Sequence, residues 1–230
     1  MCIRDRYATK HSINTIFVPL GIKVGPAAVV DVARRAGIPE SVAMIPTPSV
    51  VLGVASPRVI DVANAYATFA AQGIKSKPYL VAQVIGSNKG VLYEGKQETQ
   101  EVFSKEVMAD LTYSLKGTIT GGTGAAALAL GRPAAGKTGT SQSNASAWFS
   151  AYTPQLAASV ALFRDSASES LNGIGGLTSV TGGTFPARIW TAFMKSALKG
   201  EPVMEFPAPS NIGGLEPVVI TSGGKQTRTP

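Results

Sequence analysis

Two apolar runs, Ala145-Ser-Ala-Trp-Phe-Ser-Ala-Tyr152 and Leu156-Ala-Ala-Ser-Val-Ala-Leu-Phe-Arg164, are separated only by Thr153-Pro154-Gln155. So short a link joins neighbouring strands that run in opposite directions, because a parallel pair needs a crossover of roughly a dozen residues or more. An antiparallel hairpin is therefore predicted, and the rest of the chain must cover it. In segment 23–37, Pro26 stands near a helix start, Val29, Val32, Ala33 and Ala36 fall at helical spacing, and Gly37 is placed as a C-terminal cap. Segment 56–73 repeats that grammar, with Ser56 predicted as N-cap, Val59, Ile60, Val62, Ala63, Tyr66 and Phe69 as the buried face and Gly73 as the stop. Ser104 is predicted to cap a third helix through Val107, Met108, Leu111 and Leu115. Pro186 opens a last one, predicted to run through Ile189, Trp190, Phe193, Met194 and Leu198 to Gly200. A small hairpin, 79–85 with 90–94, is predicted about Gly86-Ser87-Asn88-Lys89. Helices, then strands, then a helix indicate α+β with an antiparallel sheet rather than a doubly wound parallel one.

The chain has 230 residues, 44% hydrophobic and 15% charged, which excludes a disordered tail, a coiled coil and a collagen-like rod. Its net charge of +7 is scattered rather than striped, so no nucleic-acid partner is implied. A single cysteine, Cys2, and a single histidine, His11, rule out an internal disulfide framework, a Cys-based zinc site and a His triad. No metal or cofactor is expected, and catalysis would have to run on Ser, Thr, Lys, Asn or a carboxylate. No apolar stretch approaches the roughly 18 residues of a membrane-spanning helix. Residues 1–10 are expected to be a frayed or non-native start, because Met1-Cys2-Ile3-Arg4-Asp5-Arg6 carries neither period. Residues 201–230, rich in Pro, Gly, Ser and Thr, are expected to form a flexible tail.

The chemistry concentrates in Gly136-Lys137-Thr138-Gly139-Thr140, predicted to lie on an edge strand. A lysine beside two hydroxyls binds anions and moves protons. Gly139 lets an extended ligand lie against the strand backbone, while Thr138 and Thr140 can donate to a carboxylate. Other candidates carry less. Trp148 and Phe149 on an alternating strand are expected in the core, His11 has no partner in view, and the glycines at 121, 122 and 124 lack the Lys and Ser/Thr of a phosphate loop.

Lys-Thr-Gly is the third of the three motifs of penicillin-recognising serine enzymes, after Ser-x-x-Lys and Ser-x-Asn, and Ser12-Ile13-Asn14 lies upstream in the right order. With the blocks Asn64-Ala-Tyr-Ala-Thr-Phe-Ala70, Gly122-Thr-Gly124, Gly131-Arg-Pro133, Ala147-Trp-Phe149, Tyr152-Thr-Pro154 and the helix entry at Gly182-Gly183, the chain resembles the transpeptidase domain of bifunctional class A penicillin-binding proteins from about His11 to Pro207. Ser146 stands where many close relatives carry an Asp. The family's Ser-x-x-Lys should precede Ser12. The two such strings present, Ser196-Ala-Leu-Lys199 and Ser222-Gly-Gly-Lys225, follow Lys-Thr-Gly and are taken as coincidences.

The resemblance implies helices packed on an antiparallel sheet, as in penicillin-binding transpeptidases and serine β-lactamases. Residues 11–200 would be the C-terminal part of an N-terminally truncated domain, inactive alone. It further implies that Ser12 passes a proton between the nucleophile pair and the leaving group, that Asn14 bonds the donor peptide's amide, and that Lys137 supplies positive charge. Thr138 and Thr140 would bind the terminal carboxylate of a D-Ala-D-Ala stem or a β-lactam, and the N–H after Gly139, that of Thr140, would join the oxyanion hole. Taken without the resemblance, Ser12 and Asn14 also suit a turn or helix cap. The implied parent acts outside the cytoplasmic membrane, with its anchor in the missing part. Alternatives are a D,D-carboxypeptidase, a β-lactamase, or a non-catalytic binder of stem peptides or β-lactams.

Overall fold

A computed structural model describes residues 3–166 and 168–212. In chain order its elements are α1 (Ile3–His11), α2 (Asn14–Val24), α3 (Pro26–Ala36), α4 (Val59–Ala70), β1 (Ile74–Ser76), β2 (Gln83–Ile85), β3 (Val91–Glu94), β4 (Thr99–Glu101), α5 (Lys105–Ile119), β5 (Ala135–Thr140), β6 (Ser146–Tyr152), β7 (Ala157–Phe163) and α6 (Phe185–Ala197). Strands β5, β6 and β7 form one antiparallel sheet in that order, while β1 pairs with β4 and β2 with β3 as separate ribbons. The predicted α+β architecture and the 145–164 hairpin are both present. Ser143 and Asn144, both at positive φ, turn the chain from β5 into β6, where the Ser141 N–H donates to the Ser146 carbonyl and the Ser146 N–H to the Ser141 hydroxyl.

Alternation along β6 divides the core in two. Ala147, Phe149 and Ala151 point to one face. There Phe149 meets Trp190 of α6 edge-on at 5.4 Å, a geometry worth about 0.5–1.5 kcal/mol beyond the area it buries. The Trp190 indole donates to the carbonyls of Ala151 and Ala158, each at 3.2 Å, so its one polar atom is satisfied in the core. On the other face Tyr152 packs with Leu115 and Ala135 under Tyr66 and Phe69 of α4. Its hydroxyl shares a 2.8 Å bond with Thr112 of α5, and burial pushes the phenol up to about 12. The sheet is thus sandwiched between α6 and the α4–α5 layer.

Several expectations change at this level. Helix α4 begins at Val59 rather than next to Ser56, because Asp61 reaches back to accept the Arg58 N–H at 3.1 Å and clamps the Arg58 guanidinium at 2.8 and 2.9 Å. These bonds hold the Asp61 carboxyl below its usual range despite burial. Ile60 is half exposed in consequence of that start. On α6, Trp190, Met194 and Leu198 form the inward stripe with Ala187 and Thr191. Ile189 and Phe193, one position earlier in each turn, lie 45% and 51% exposed on the flank. Ser104 does cap α5, its hydroxyl accepting from the Val107 N–H at 3.4 Å, but Val107 itself faces outward.

The N-terminal segment corrects another expectation. Residues 3–11 are helical and seated on α5: Ala8 is fully buried, Thr9 bonds Ser114 and the Arg6 guanidinium lies 4.1 Å over the Tyr113 ring. Packing on α5 rather than an apolar period of its own holds this helix. Residues 201–212 carry no helix or strand and are tied down. Phe206 packs edge-on to Tyr152, Arg132 reaches the carbonyls of Glu201 and Pro202, and the Asp110 carboxylate accepts both the Asn211 and Ile212 N–H groups at 2.9 Å. The rest of the predicted tail, including Ser222-Gly-Gly-Lys225, lies outside the described residues. No single described helix is long and apolar enough to cross a membrane.

Candidate active site

Helix α1 ends in a tight reversal: the Ser12 N–H bonds the Thr9 carbonyl at 3.3 Å and the Ile13 N–H reaches back to Ala8 at 3.0 Å. This is the paired 5→2 and 6→1 pattern of a Schellman cap, whose central residue must be left-handed and is usually glycine. Here it is Ser12, at φ +57°. A serine at that dihedral is strained by about 1–3 kcal/mol, so the side chain is placed at a cost that backbone geometry alone does not require. The N-cap of α2 is Ile13, and Asn14 is its first residue, exposed at the same corner. Ser12 thus closes the end of α1 rather than capping the start of α2, and Asn14 is not the N-cap that its residue type suits.

The other half of the site comes from β5, which is an edge strand as predicted and leaves its outer backbone open to an added strand. In the ladder Lys137 stands opposite Ser150, Thr138 opposite Phe149 and Gly139 opposite Trp148. Period-two alternation sends Lys137 and Gly139 to the α4–α5 face and Thr138 and Thr140 to the other. The Lys137 ammonium donates to Ser12 Oγ at 2.8 Å, across 125 residues of chain, and to its neighbour's carbonyl, Thr138 O, at 3.1 Å. Burial lowers its pKa to about 8 from the usual 10.5, and it has no ion-pair partner among the described residues. Thr140 Oγ1 accepts the Gly182 N–H at 3.2 Å. A Cβ at Gly182 would overlap the Trp148 carbonyl and crowd Gly139 O at 2.7 Å, which explains why glycine occupies that position.

Residues 5–165 match the penicillin binding protein transpeptidase domain. The chain belongs to that family. Within it the chain groups with the class A proteins. It is 37% identical to penicillin-binding protein 1A of Mycolicibacterium smegmatis over 90% of its own length and 29% of that protein, and 36% identical to the Mycobacterium tuberculosis counterpart over 90% of its length and 28% of that protein. Among solved structures, PonA1 of Mycobacterium tuberculosis in complex with penicillin V superposes with a TM-score of 0.82 at 35% identity, covering 91% of this chain and 60% of that one. The chain thus spans less than a third of the curated relatives it matches.

In this transpeptidase segment, then, Ser12, Lys137, Thr138, Gly139 and Thr140 gather along one corner, with Asn14 one step further along the α1–α2 turn. Of the remaining candidates, Phe149 is core, Trp148 is half-buried beside Gly139, and His11 packs on the Tyr7 ring at 4.4 Å. Ser196 and Lys199 are exposed at the far end of α6. One residue with a direct bond to the site had been noted only as part of a family block: Thr123, whose hydroxyl lies 2.6 Å from that of Thr138. Its signal in the sequence was the Gly122-Thr-Gly124 string itself, a small polar residue that glycines allow to approach closely. A cavity of about 570 Å³ between α3, α4 and the β1–β4 ribbon, lined by Arg34, Asn64, Lys75, Lys77 and Glu98, includes none of these groups. The candidate groups line β5 and the α1–α2 turn instead.

Proposed function

We propose that this chain is the C-terminal part of a D,D-transpeptidase that cross-links peptidoglycan stem peptides through a serine acyl-enzyme and is acylated by β-lactams. The observation that carries the reading is the Lys137 to Ser12 bond on an edge strand that also carries the hydroxyls of Thr138 and Thr140. The nucleophilic serine and its lysine partner belong, on this reading, to a segment upstream of residue 11, and residues 11–200 complete the domain. The serine oxygen attacks the carbonyl between the two D-alanines, the oxyanion is met by the Thr140 N–H, and the C–N bond breaks. Ser12, polarised by Lys137, passes a proton to the departing D-Ala amine. An acceptor amine then attacks the ester, forms the cross-link and returns the serine. Asn14 bonds the donor's amide, while Thr138, Thr140 and the Lys137 charge hold the terminal carboxylate. The reaction takes place outside the cytoplasmic membrane, where stem peptides are, with anchoring supplied by the parent polypeptide.

The test is labelling with a fluorescent penicillin. A longer polypeptide that carries an upstream Ser-x-x-Lys followed by this chain is expected to label covalently, whereas residues 1–230 alone are expected to stay unlabelled. Covalent label on the 230-residue chain would overturn the assignment of the nucleophile. Failure of the longer polypeptide to label while still binding a stem peptide would favour the non-catalytic reading. Release of D-Ala with an amine acceptor, rather than with water alone, separates cross-linking from carboxypeptidase action.

A further inference from the structure

Thr138 and Thr140 each have a hydroxyl with one proton to give and two lone pairs to fill. For Thr140 one lone pair is already taken by the Gly182 N–H at 3.2 Å, which leaves its proton free to point outward. Among the described residues Thr138 has no such backbone donor; its neighbour is the Thr123 hydroxyl at 2.6 Å, a short bond in which one of the two must give its proton to the other. Thr123 is itself held from three sides. Its N–H donates to the Lys10 carbonyl at 3.2 Å, in the last turn of α1 and two residues before Ser12. Its carbonyl abuts Gly183, where a Cβ would overlap it, and its side chain reaches β5. The residue therefore stands where the Ser12 helix, the Lys-Thr-Gly strand and the Gly182-Gly183 loop meet.

Building on the acyl-transfer reading above, we propose that Thr123 is a positioning residue for carboxylate recognition: its hydroxyl donates to Thr138 Oγ1, fixes that rotamer and turns the Thr138 proton toward the ligand's carboxylate. The two threonines then act alike, each oxygen filled from behind and each proton presented in front. A hydroxyl that accepts one hydrogen bond is a stronger donor in the next, so the chain Thr123 to Thr138 to carboxylate is cooperative. Thr123 touches no reacting atom in this scheme and works entirely through Thr138.

The experiment compares acylation of the longer polypeptide by a penicillin and by the same penicillin with its carboxylate methyl-esterified. Thr123→Val keeps the shape and removes the hydroxyl. It is expected to slow acylation by the free acid about tenfold, the upper end for one neutral hydrogen bond, while leaving the slower rate of the ester unchanged. Thr123→Ser is expected to restore the acid's rate to within about twofold, and Thr123→Val added to Thr138→Val to cost nothing further, as coupled neighbours require. An undiminished rate for Thr123→Val, an equal loss for acid and ester, failure of Thr123→Ser to rescue, or additive losses in the double variant would each overturn the assignment. A wild-type polypeptide that no penicillin acylates would instead overturn the acyl-transfer reading itself.

Discussion

Lys77 and Arg34, beside the cavity between α3 and the β1–β4 ribbon, each face a carboxylate, Glu98 at 3.5 Å and Glu40 at 3.2 Å, whereas Lys137 on β5 faces a hydroxyl and a carbonyl. In the Lys77–Glu98 pair both side chains are about two-thirds exposed or more, so water already solvates them and the contact adds little, on the order of 0–1 kcal/mol. Lys137 is partly desolvated with no counter-charge among the described residues, an arrangement that depresses its pKa and that folding alone does not favour. The same residue type is thus a solvated surface charge in one place and a poised cation in the other. What separates them is that no carboxylate among the described residues pairs with Lys137, which supports the proposed role of the β5 cation toward an anion from outside.

The sharpest way to break this comparison is to remove both lysines in turn from the longer polypeptide. Lys137→Ala is expected to slow penicillin acylation by about 10²–10³-fold, the usual cost of deleting a preorganised electrostatic group. An acylation rate near wild type would sink the role of Lys137. Ser12→Gly comes next. It should slow acylation by about a hundredfold, at the low end for a positioned proton-transfer group, yet leave thermal stability unchanged or raised, since glycine relieves the left-handed strain at φ +57°. A large drop in melting temperature would show instead that the hydroxyl is there for the fold.

The pH response sharpens the contrast further. Lys137 is charged below about 8 and neutral above it, so kcat/KM for a carboxylate-bearing β-lactam should fall as pH rises through about 8. Stability should move the other way over the same window: between about 8 and 10.5 the unfolded chain holds a proton that the folded one lacks, and stability therefore rises with pH. Coincident profiles of activity and stability, or a titration midpoint of the Lys137 ammonium by NMR near 10.5, would contradict the burial argument. Last and smallest, Lys77→Ala is expected to change acylation by less than about twofold and stability by less than about 0.5 kcal/mol, as for a surface substitution. A larger effect would mean that the cavity beside α3 is coupled to the site.

Much of the fold was legible because its signals are local. The Thr153-Pro154-Gln155 link, the caps at Gly37 and Ser104 and the proline start of α6 each act within a few residues, and each stands where spacing put it. Where the reading slipped, a longer-range interaction had won. The Asp61 carboxylate moved the start of α4, and the α5 surface made a helix of residues 3–11. Of the site, Lys137, Thr138, Gly139 and Thr140 were readable as a string, and Ser12 and Asn14 only through a family resemblance. Thr123 belonged to a block with no assigned chemistry, since nothing in Gly-Thr-Gly says which oxygen lies 2.6 Å away.

By itself the sequence determined the alternation that makes β5, β6 and β7 an antiparallel sheet, the helices that cover it, and the order Ser12, Asn14, Lys137, Thr138, Thr140. Only the tertiary structure decided that a serine in a left-handed cap at the end of α1 receives a hydrogen bond from a lysine 125 residues later, that this lysine has no counter-ion among the described residues, and that the Thr123 hydroxyl lies 2.6 Å from that of Thr138. The reason is physical: period and capping act over one or two turns of chain, whereas desolvation and hydroxyl pairing depend on distances that exist only once α1 and α5 have closed over the sheet.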